Sequence, residues 1–370
     1  MNIKAVLLLS FIVGLSGAAS AKAGGKAETV SFKADDSHIT YIGRTISENG
    51  EVTFDWCGVY ARVEFSGGYL ELDAVNTGEC WFSVWIDKDT AEEPDQVFLL
   101  KGEERHVLFN IKEKKAQTHK AVIMRRNDSD FGVTTFRSFT VEGSLLQAEP
   151  MKERVIEFIG DSYTSGDGTE LSRRDDPFNS RWQNPGKTWA NILARYFGAD
   201  YIRTSHSGQG IDRNYDDVGR GYVMADRYLE TLDSRPGTTW HPSGIKPAIT
   251  IIYLGTNDFS TQRQPTFPAF RENYMRLLRE IKANYGEDHP ILCVASKHDW
   301  YCHDFIQETV RWCGMKNVHF AALFGAVHDD DGDLGAAWHP NYTGQKKKAY
   351  ALLPYVATIT GWGLEEKVVE

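Results

Sequence analysis

Arg154-Val155-Ile156-Glu157-Phe158-Ile159-Gly160-Asp161-Ser162 is the stretch on which the reading of this chain turns. Val155, Ile156, Phe158 and Ile159 make a short β-rich apolar run, stopped at Gly160. Such a run predicts a strand from Arg154 to Ile159, buried on both faces in a parallel sheet. A serine just beyond its end stands at the mouth of a crevice, because open α/β sheets bind ligands outside the carboxyl ends of their strands. Gly-Asp-Ser by itself says little; its place after a buried strand is what makes it informative.

Downstream the same grammar repeats. Strands are predicted around Tyr201–Thr204, at Ile249–Leu254, Pro290–Ala295 and Val318–Leu323. Helices are predicted at Trp189–Phe197, Phe270–Tyr285, Phe305–Cys313 and Thr343–Thr358. Strands alternating with helices imply a parallel sheet with helices on both faces. Three further signals fall at strand ends or before the last helix: Ser207-Gly208-Gln209-Gly210, Gly255-Thr256-Asn257-Asp258 and Trp338-His339-Pro340.

Upstream the period changes from helical to two. Tyr60–Phe65 alternates, Ser66-Gly67-Gly68 turns, and Tyr69–Val75 alternates again. Cys80–Ile86, Gln96–Leu100, His106–Ile111, His119–Met124 and Thr134–Val141 follow, separated by Gly, Asn and Asp clusters. Period two means one buried and one wet face, so an antiparallel, jelly-roll-like β-sandwich is expected. The fold class is therefore α/β with a sandwich in front: 28–148 as the sandwich and 150–370 as the α/β domain. Residues 1–21 read as a signal peptide, with the apolar run Val6–Val13 and Ala19-Ser20-Ala21 at the cleavage site. That places the protein in the periplasm or outside the cell. The run is too short for a membrane span.

A length of 370 residues fits two domains, and a charge of −10 disfavours nucleic acid, which rewards neutralising cations. Lys346-Lys347-Lys348 reads as the solvated face of the last helix. An aromatic content of 12% suits either large cores or platforms for sugar rings. Five cysteines leave at least one unpaired in a monomer, and Cys57–Cys80 or Cys302–Cys313 are open as disulfides. Their spacing fits no zinc pattern. Asp329-Asp330-Asp331-Gly332-Asp333 does not fit an EF-hand, because Val327 falls where the first acid belongs. No metal and no cofactor are expected. Asp161 and Asp258 read as carboxylates that brace loop N–H groups. His206, His298 and His303 read as packed or surface histidines.

The four blocks, in this order, resemble those of the SGNH (GDSL-like) hydrolase superfamily. With a sandwich in front, the chain looks most like the second family of carbohydrate esterases, the acetyl xylan esterases. The resemblance implies a serine esterase with Ser162 as nucleophile and His339 as base. It implies an oxyanion hole from the N–H groups of Ser162 and Gly208 and the side-chain amide of Asn257. The chemistry agrees: a serine hydroxyl needs a base of near-neutral pKa, and the oxyanion needs fixed donors. Where the superfamily usually has an aspartate before the histidine, this chain has Ala336 and Ala337. The resemblance then implies orientation by the Trp338 main-chain carbonyl, with Asp331 or Asp333 as the alternative. Tyr215 and Trp300 are candidates for stacking on the sugar. The expected partner is an acetylated polysaccharide such as xylan or glucomannan, met by a monomer. A lipid or thioester hydrolase and a non-catalytic carbohydrate binder are the competing functions. The polar, charged loop Ser172–Lys187 disfavours a long acyl channel.

Overall fold

The computed structural model describes residues 28–112, 117–216, 221–242, 244–262, 264–295, 300–323 and 330–365. The leader at 1–21, His298 and Asp329 lie outside them, as do the side chains of Trp300, Asp330 and Asp331.

Ten antiparallel strands come first: β1 (Val30–Lys33), β2 (Thr40–Ile42), β3 (Ile46–Glu48), β4 (Glu51–Phe54), β5 (Tyr60–Ser66), β6 (Tyr69–Ile86), β7 (Gln96–Asn110), β8 (Thr118–Arg125), β9 (Thr134–Val141) and β10 (Leu145–Leu146). They form one hydrogen-bonded network, in the order β10-β5-β8-β6-β9-β4-β3 with β1, β2 and β7 attached. The expected antiparallel fold is present. The runs Tyr69–Val75 and Cys80–Ile86, read as two strands, are one strand. β6 pairs with β9 through Leu70–Asn76 and with β8 through Phe82–Ile86, while β7 follows it along its length. A register shift between Asn76 and Glu79 absorbs the polar Asn-Thr-Gly-Glu segment that looked like a turn. Bulges bend a strand in this way, and the bent hairpin lets one sheet curl around a single core of Val63, Leu72, Phe82, Phe136 and their neighbours.

Five parallel strands follow: β11 (Val155–Gly160), β12 (Asp200–Ser205), β13 (Ile249–Tyr253), β14 (Ile291–Ala295) and β15 (Val318–Ala322), in the order β12-β11-β13-β14-β15. The helices are α1 (Ser162–Ser165), α2 (Trp189–Tyr196), α3 (Met224–Arg227), α4 (Phe267–Tyr285), α5 (Trp300–Arg311), α6 (Asp330–Asp333) and α7 (Tyr342–Thr360). Alternate residues of the strands feed two cores. Phe158, Ile251 and Tyr253 pack with α2 and α7, whereas Ile159, Ile252 and Leu254 pack with α4 and α5. This two-sided burial is why the strands read as continuous apolar runs. The chain leaves β11 to one side for β12 and returns on the other for β13. The carboxyl end of β11 is therefore the switch point where such sheets open a crevice.

The two halves share side chains. Ile42, Tyr60, Trp85 and Met124 of the antiparallel half belong to the apolar cluster of α2 and α7. Arg44 is fully buried between the rings of Trp56, Tyr228 and Trp240, donates to the Glu230 carbonyl at 2.9 Å and faces Glu157. Asp55 accepts the N–H groups of Asp233 and Ser234 at 2.8 and 2.9 Å.

The cysteine pairing left open by the sequence is answered, and one expectation is corrected. All five cysteines are free thiols: Cys57 sits against Ser205 across the interface, and Cys80 is buried in β6. The Lys346–Lys348 run is not all solvated. Three consecutive residues span most of a helix circumference, and Lys348 falls on the buried stripe with Gln345, Leu352 and Val356.

Candidate active site

Each functional side chain is delivered by the end of a strand. β11 delivers Ser162, the first residue of α1, through the cap Asp161, whose carboxylate accepts the Tyr163 N–H at 3.0 Å. β12 delivers the loop of Gly208, and β13 delivers Asn257. His339 comes from a two-residue strand pair, β16 (Leu334–Gly335) and β17 (His339–Pro340), just before α7. Its Nε2 lies 2.8 Å from Ser162 Oγ. That is hydrogen-bonding distance between the candidate nucleophile and the candidate base, 177 residues apart in sequence.

The segment bearing His339 is shaped by its backbone. Ala337 and Trp338 both have positive φ, 51° and 60°. Non-glycine residues pay for that conformation, and here neighbours hold it. Ala337 N–H donates to the Asp176 carbonyl at 2.8 Å and Trp338 N–H to the Arg174 carbonyl at 3.1 Å. Gly168 makes room beneath: a Cβ there would stand 2.7 Å from the Ala336 carbonyl and 2.9 Å from His339 Cβ.

The expected bond from His339 Nδ1 to the Trp338 carbonyl is not formed. Nδ1 is buried without a hydrogen-bond partner among the described residues. The carbonyls that favour its protonated form belong to Ala337 and Ala336. A chain reversed over Ala337 and Trp338 brings the carbonyls entering the reversal against the ring. Asp333 is engaged elsewhere, 2.9 Å from Lys347 Nζ. Burial is the largest influence on the His339 ring and pushes it down to about 4; the Lys348 ammonium pushes the same way.

Gly208 has φ +78°, a conformation that favours glycine, and a Cβ there would face only Tyr215 Cβ, at 3.7 Å. Its carbonyl accepts the Tyr215 N–H at 2.7 Å. Asn257 Nδ2 donates to the Gln209 carbonyl at 2.7 Å and reaches Asp161 at 3.4 Å. The amide is thus pinned beside the Gly208 loop. Burial raises Asp161 to about 7, against its bond from Tyr163 N–H and the nearby Lys348. Asp258 accepts three loop amides, from Ile211, Asp212 and Arg213, at 2.8, 2.7 and 3.1 Å. Both aspartates therefore make the bracing contacts read from the sequence. His206 is packed, with Nδ1 2.5 Å from Asp233.

Tyr215 stands beside Gly208 with 60% of its surface exposed, and Trp338 is 55% exposed with the Arg174 guanidinium 4.4 Å above its ring. Trp300 opens α5, just after the segment that follows β14. Sequence reasoning missed Lys348. Its Nζ is 2.7 Å from Tyr253 Oη and 4.1 Å from the centre of the Tyr163 ring, which in turn meets the His339 ring edge to face at 5.6 Å. The helical stripe Gln345, Ala349, Leu352, Val356 was the available signal.

Residues 158–347 match the GDSL-like lipase/acylhydrolase family. The chain belongs to that family. Residues 41–150 of this acylhydrolase-family chain match the carbohydrate esterase 2 N-terminal domain. The chain is 29% identical over 338 residues to the cellulase/esterase CelE of Acetivibrio thermocellus, covering 89% of this chain and 40% of that protein. It is 27% identical over 264 residues to an acetylxylan esterase / glucomannan deacetylase of Cellvibrio japonicus, covering 70% and 72%. Its fold matches a family two carbohydrate esterase from Clostridium thermocellum, solved in complex with cellohexaose. That match has a TM-score of 0.80 at 28% identity and covers 88% of this chain and all of the other.

Proposed function

We propose that this protein is an exported serine esterase that removes O-acetyl groups from plant polysaccharide, xylan or glucomannan. The observation that carries the proposal is the 2.8 Å contact between His339 Nε2 and Ser162 Oγ. The two curated relatives and the N-terminal domain match support the carbohydrate class.

In the proposed cycle, His339 takes the Ser162 proton as Oγ attacks the acetyl carbonyl. The oxyanion accepts the N–H groups of Ser162 and Gly208 and an N–H of Asn257. The 3.4 Å contact from Asn257 to Asp161 is weak and yields to the stronger acceptor. His339, now protonated, gives its proton to the departing sugar oxygen. Water then attacks the acetyl-enzyme with His339 as base again, releasing acetate. Burial holds the His339 ring low, so it is in its neutral, proton-accepting form across the neutral range, at a cost in base strength that the transition-state contacts must offset. The backbone turn Ala336–Trp338, rather than a carboxylate, orients the ring. Tyr215, exposed at the edge of the oxyanion loop, stacks on the sugar, and Trp300 is proposed as its counterpart.

The test is acetate release from acetylated xylan and glucomannan by wild type and Ser162→Ala. Release that disappears in the folded variant supports the reading. Hydrolysis confined to long-chain acyl esters moves the assignment to lipids. No hydrolysis of any ester leaves carbohydrate binding alone.

A further inference from the structure

Gly208 is reached through a residue that two buried carboxylates hold. Asp128, in the loop between β8 and β9 of the antiparallel half, accepts the Ser207 N–H at 3.1 Å. Asp167, shortly after α1, accepts the Ser207 hydroxyl at 2.9 and 3.0 Å. The Gln183 amide ties the two together, 2.6 Å from Asp167 and 3.3 Å from Asp128. On the far side, the Gly208 carbonyl is held by Tyr215 N–H. The groups flanking the Ser207–Gly208 peptide are therefore held on both sides, the Ser207 N–H and hydroxyl before it and the Gly208 carbonyl after it.

This arrangement is costly. Asp128 and Asp167 are 1% and 5% exposed. Burial first, and the Asp128 carboxylate second, push Asp167 well above the usual carboxylate range. Asp128 Oδ1 is buried with no hydrogen-bond partner among the described residues. An unsatisfied buried acceptor is destabilising, because its lost hydration is not replaced. Costs of this kind persist where function requires the geometry they impose.

The loop carrying Asp128 is anchored on both sides. Arg126 donates to the Gln183 carbonyl at 2.9 Å and pairs with Glu170. Asn127 donates to Ser180 and Gln183 at 2.8 Å each. Ser129 Oγ lies 3.2 Å from His206 Nδ1, on the residue before Ser207.

We propose that Asp128 and Asp167 are positioning residues of the oxyanion hole, which makes the antiparallel half a working part of the esterase rather than only its brace. The proposal rests on the esterase reading above. Asp128 holds the N–H of the His206–Ser207 peptide and Asp167 holds the Ser207 side chain, so the backbone leading into Gly208 is fixed and the Gly208 N–H meets the oxyanion without first reorganising. That contact forms only in the transition state, so its loss appears in kcat and not in KM.

The experiment measures kcat and KM separately on 4-nitrophenyl acetate and acetylated glucomannan, with thermal melts on each protein. The proteins are wild type, Asp128→Ala, Asp128→Asn and Ser207→Ala. Asp128→Ala is expected to lower kcat about 10- to 100-fold at unchanged KM, somewhat less than outright deletion of an oxyanion donor. Asp128→Asn, which keeps an acceptor oxygen, restores most of that loss. Ser207→Ala, which removes the bonds to Asp167 and the 3.5 Å contact from the Gln183 amide while keeping the Ser207 N–H on Asp128, lowers kcat with KM unchanged and carries the test if Asp128→Ala does not fold. Folded Asp128→Ala and Ser207→Ala with wild-type kcat overturn the proposal, as does a change confined to KM. A wild type that hydrolyses no ester overturns the esterase reading itself, a result distinct from an active enzyme indifferent to these changes.

Discussion

Lys348 is fully buried with its ammonium 2.7 Å from the Tyr253 hydroxyl, close behind His339, the proposed base. Burial lowers this lysine to about 7, against the favourable charges of Asp161 and Asp333. Below that pH it is a cation, and its charge helps hold the His339 ring near 4. Lys348→Met removes the charge. The acidic limb of kcat/KM, set near pH 4 by His339 in wild type, is expected to move to higher pH in the variant. A pH-rate profile reads this directly. Stability gives a second readout. A lysine whose folded pKa lies below its unfolded one destabilises fully below about 7, and that penalty fades toward the unfolded value near 10.4. The melting temperature of Lys348→Met relative to wild type is therefore expected to improve from pH 10 to pH 6. A difference that stays flat over that range would show that Lys348 does not titrate with folding.

Asn257→Ala removes the proposed side-chain oxyanion donor. It is expected to lower kcat about 10²- to 10³-fold, equivalent to roughly 2.7–4 kcal/mol. KM should change little, while the melting temperature should fall modestly because the buried amide gives up its bond to the Gln209 carbonyl. A loss of less than about tenfold would remove Asn257 from the oxyanion hole.

Asp333→Asn distinguishes the two orientations of His339. An orienting triad carboxylate is worth about 10⁴ in kcat. Asp333 spends its side chain on Lys347, so the variant is expected to keep kcat within about tenfold of wild type. Steady-state kinetics on a folded sample decides it. A far larger loss would return Asp333 to the triad.

Tyr215→Ala tests the sugar platform. An exposed side chain contributes little to stability, typically within about 0.5 kcal/mol. The expected result is a raised KM on acetylated polysaccharide with nearly unchanged kinetics on 4-nitrophenyl acetate. Equal effects on both substrates would instead implicate the Gly208 carbonyl bond that the Tyr215 backbone makes.

Much of this architecture was readable from the chain because two-sided burial writes long apolar runs. Ile249–Tyr253 and Ile291–Ala295 stand out for that reason, and the motif residues follow them directly. The first strands, Val30–Phe54, were not legible: they are short, partly exposed and held by pairing with β5 and β9 rather than by their own pattern. Asp128 and Asp167 were invisible for a different reason. Nothing in Asn-Asp-Ser or Gly-Asp-Gly announces a carboxylate that will be drawn into the interior by a partner 79 or 40 residues away. Lys348 was misread because a charge run was treated as one object, whereas helix geometry gives each of its members a different direction.

The apolar cluster that joins Ile42, Tyr60, Trp85 and Met124 to α2 and α7 has a thermodynamic meaning. Opening either half on its own would expose the other's interior to water, so partial melting has no inexpensive route. The two halves are coupled into one cooperative unit, and heating the molecule is expected to give a single calorimetric transition. A molecule built this way loses its α/β half and its antiparallel half together, leaving no folded fragment behind.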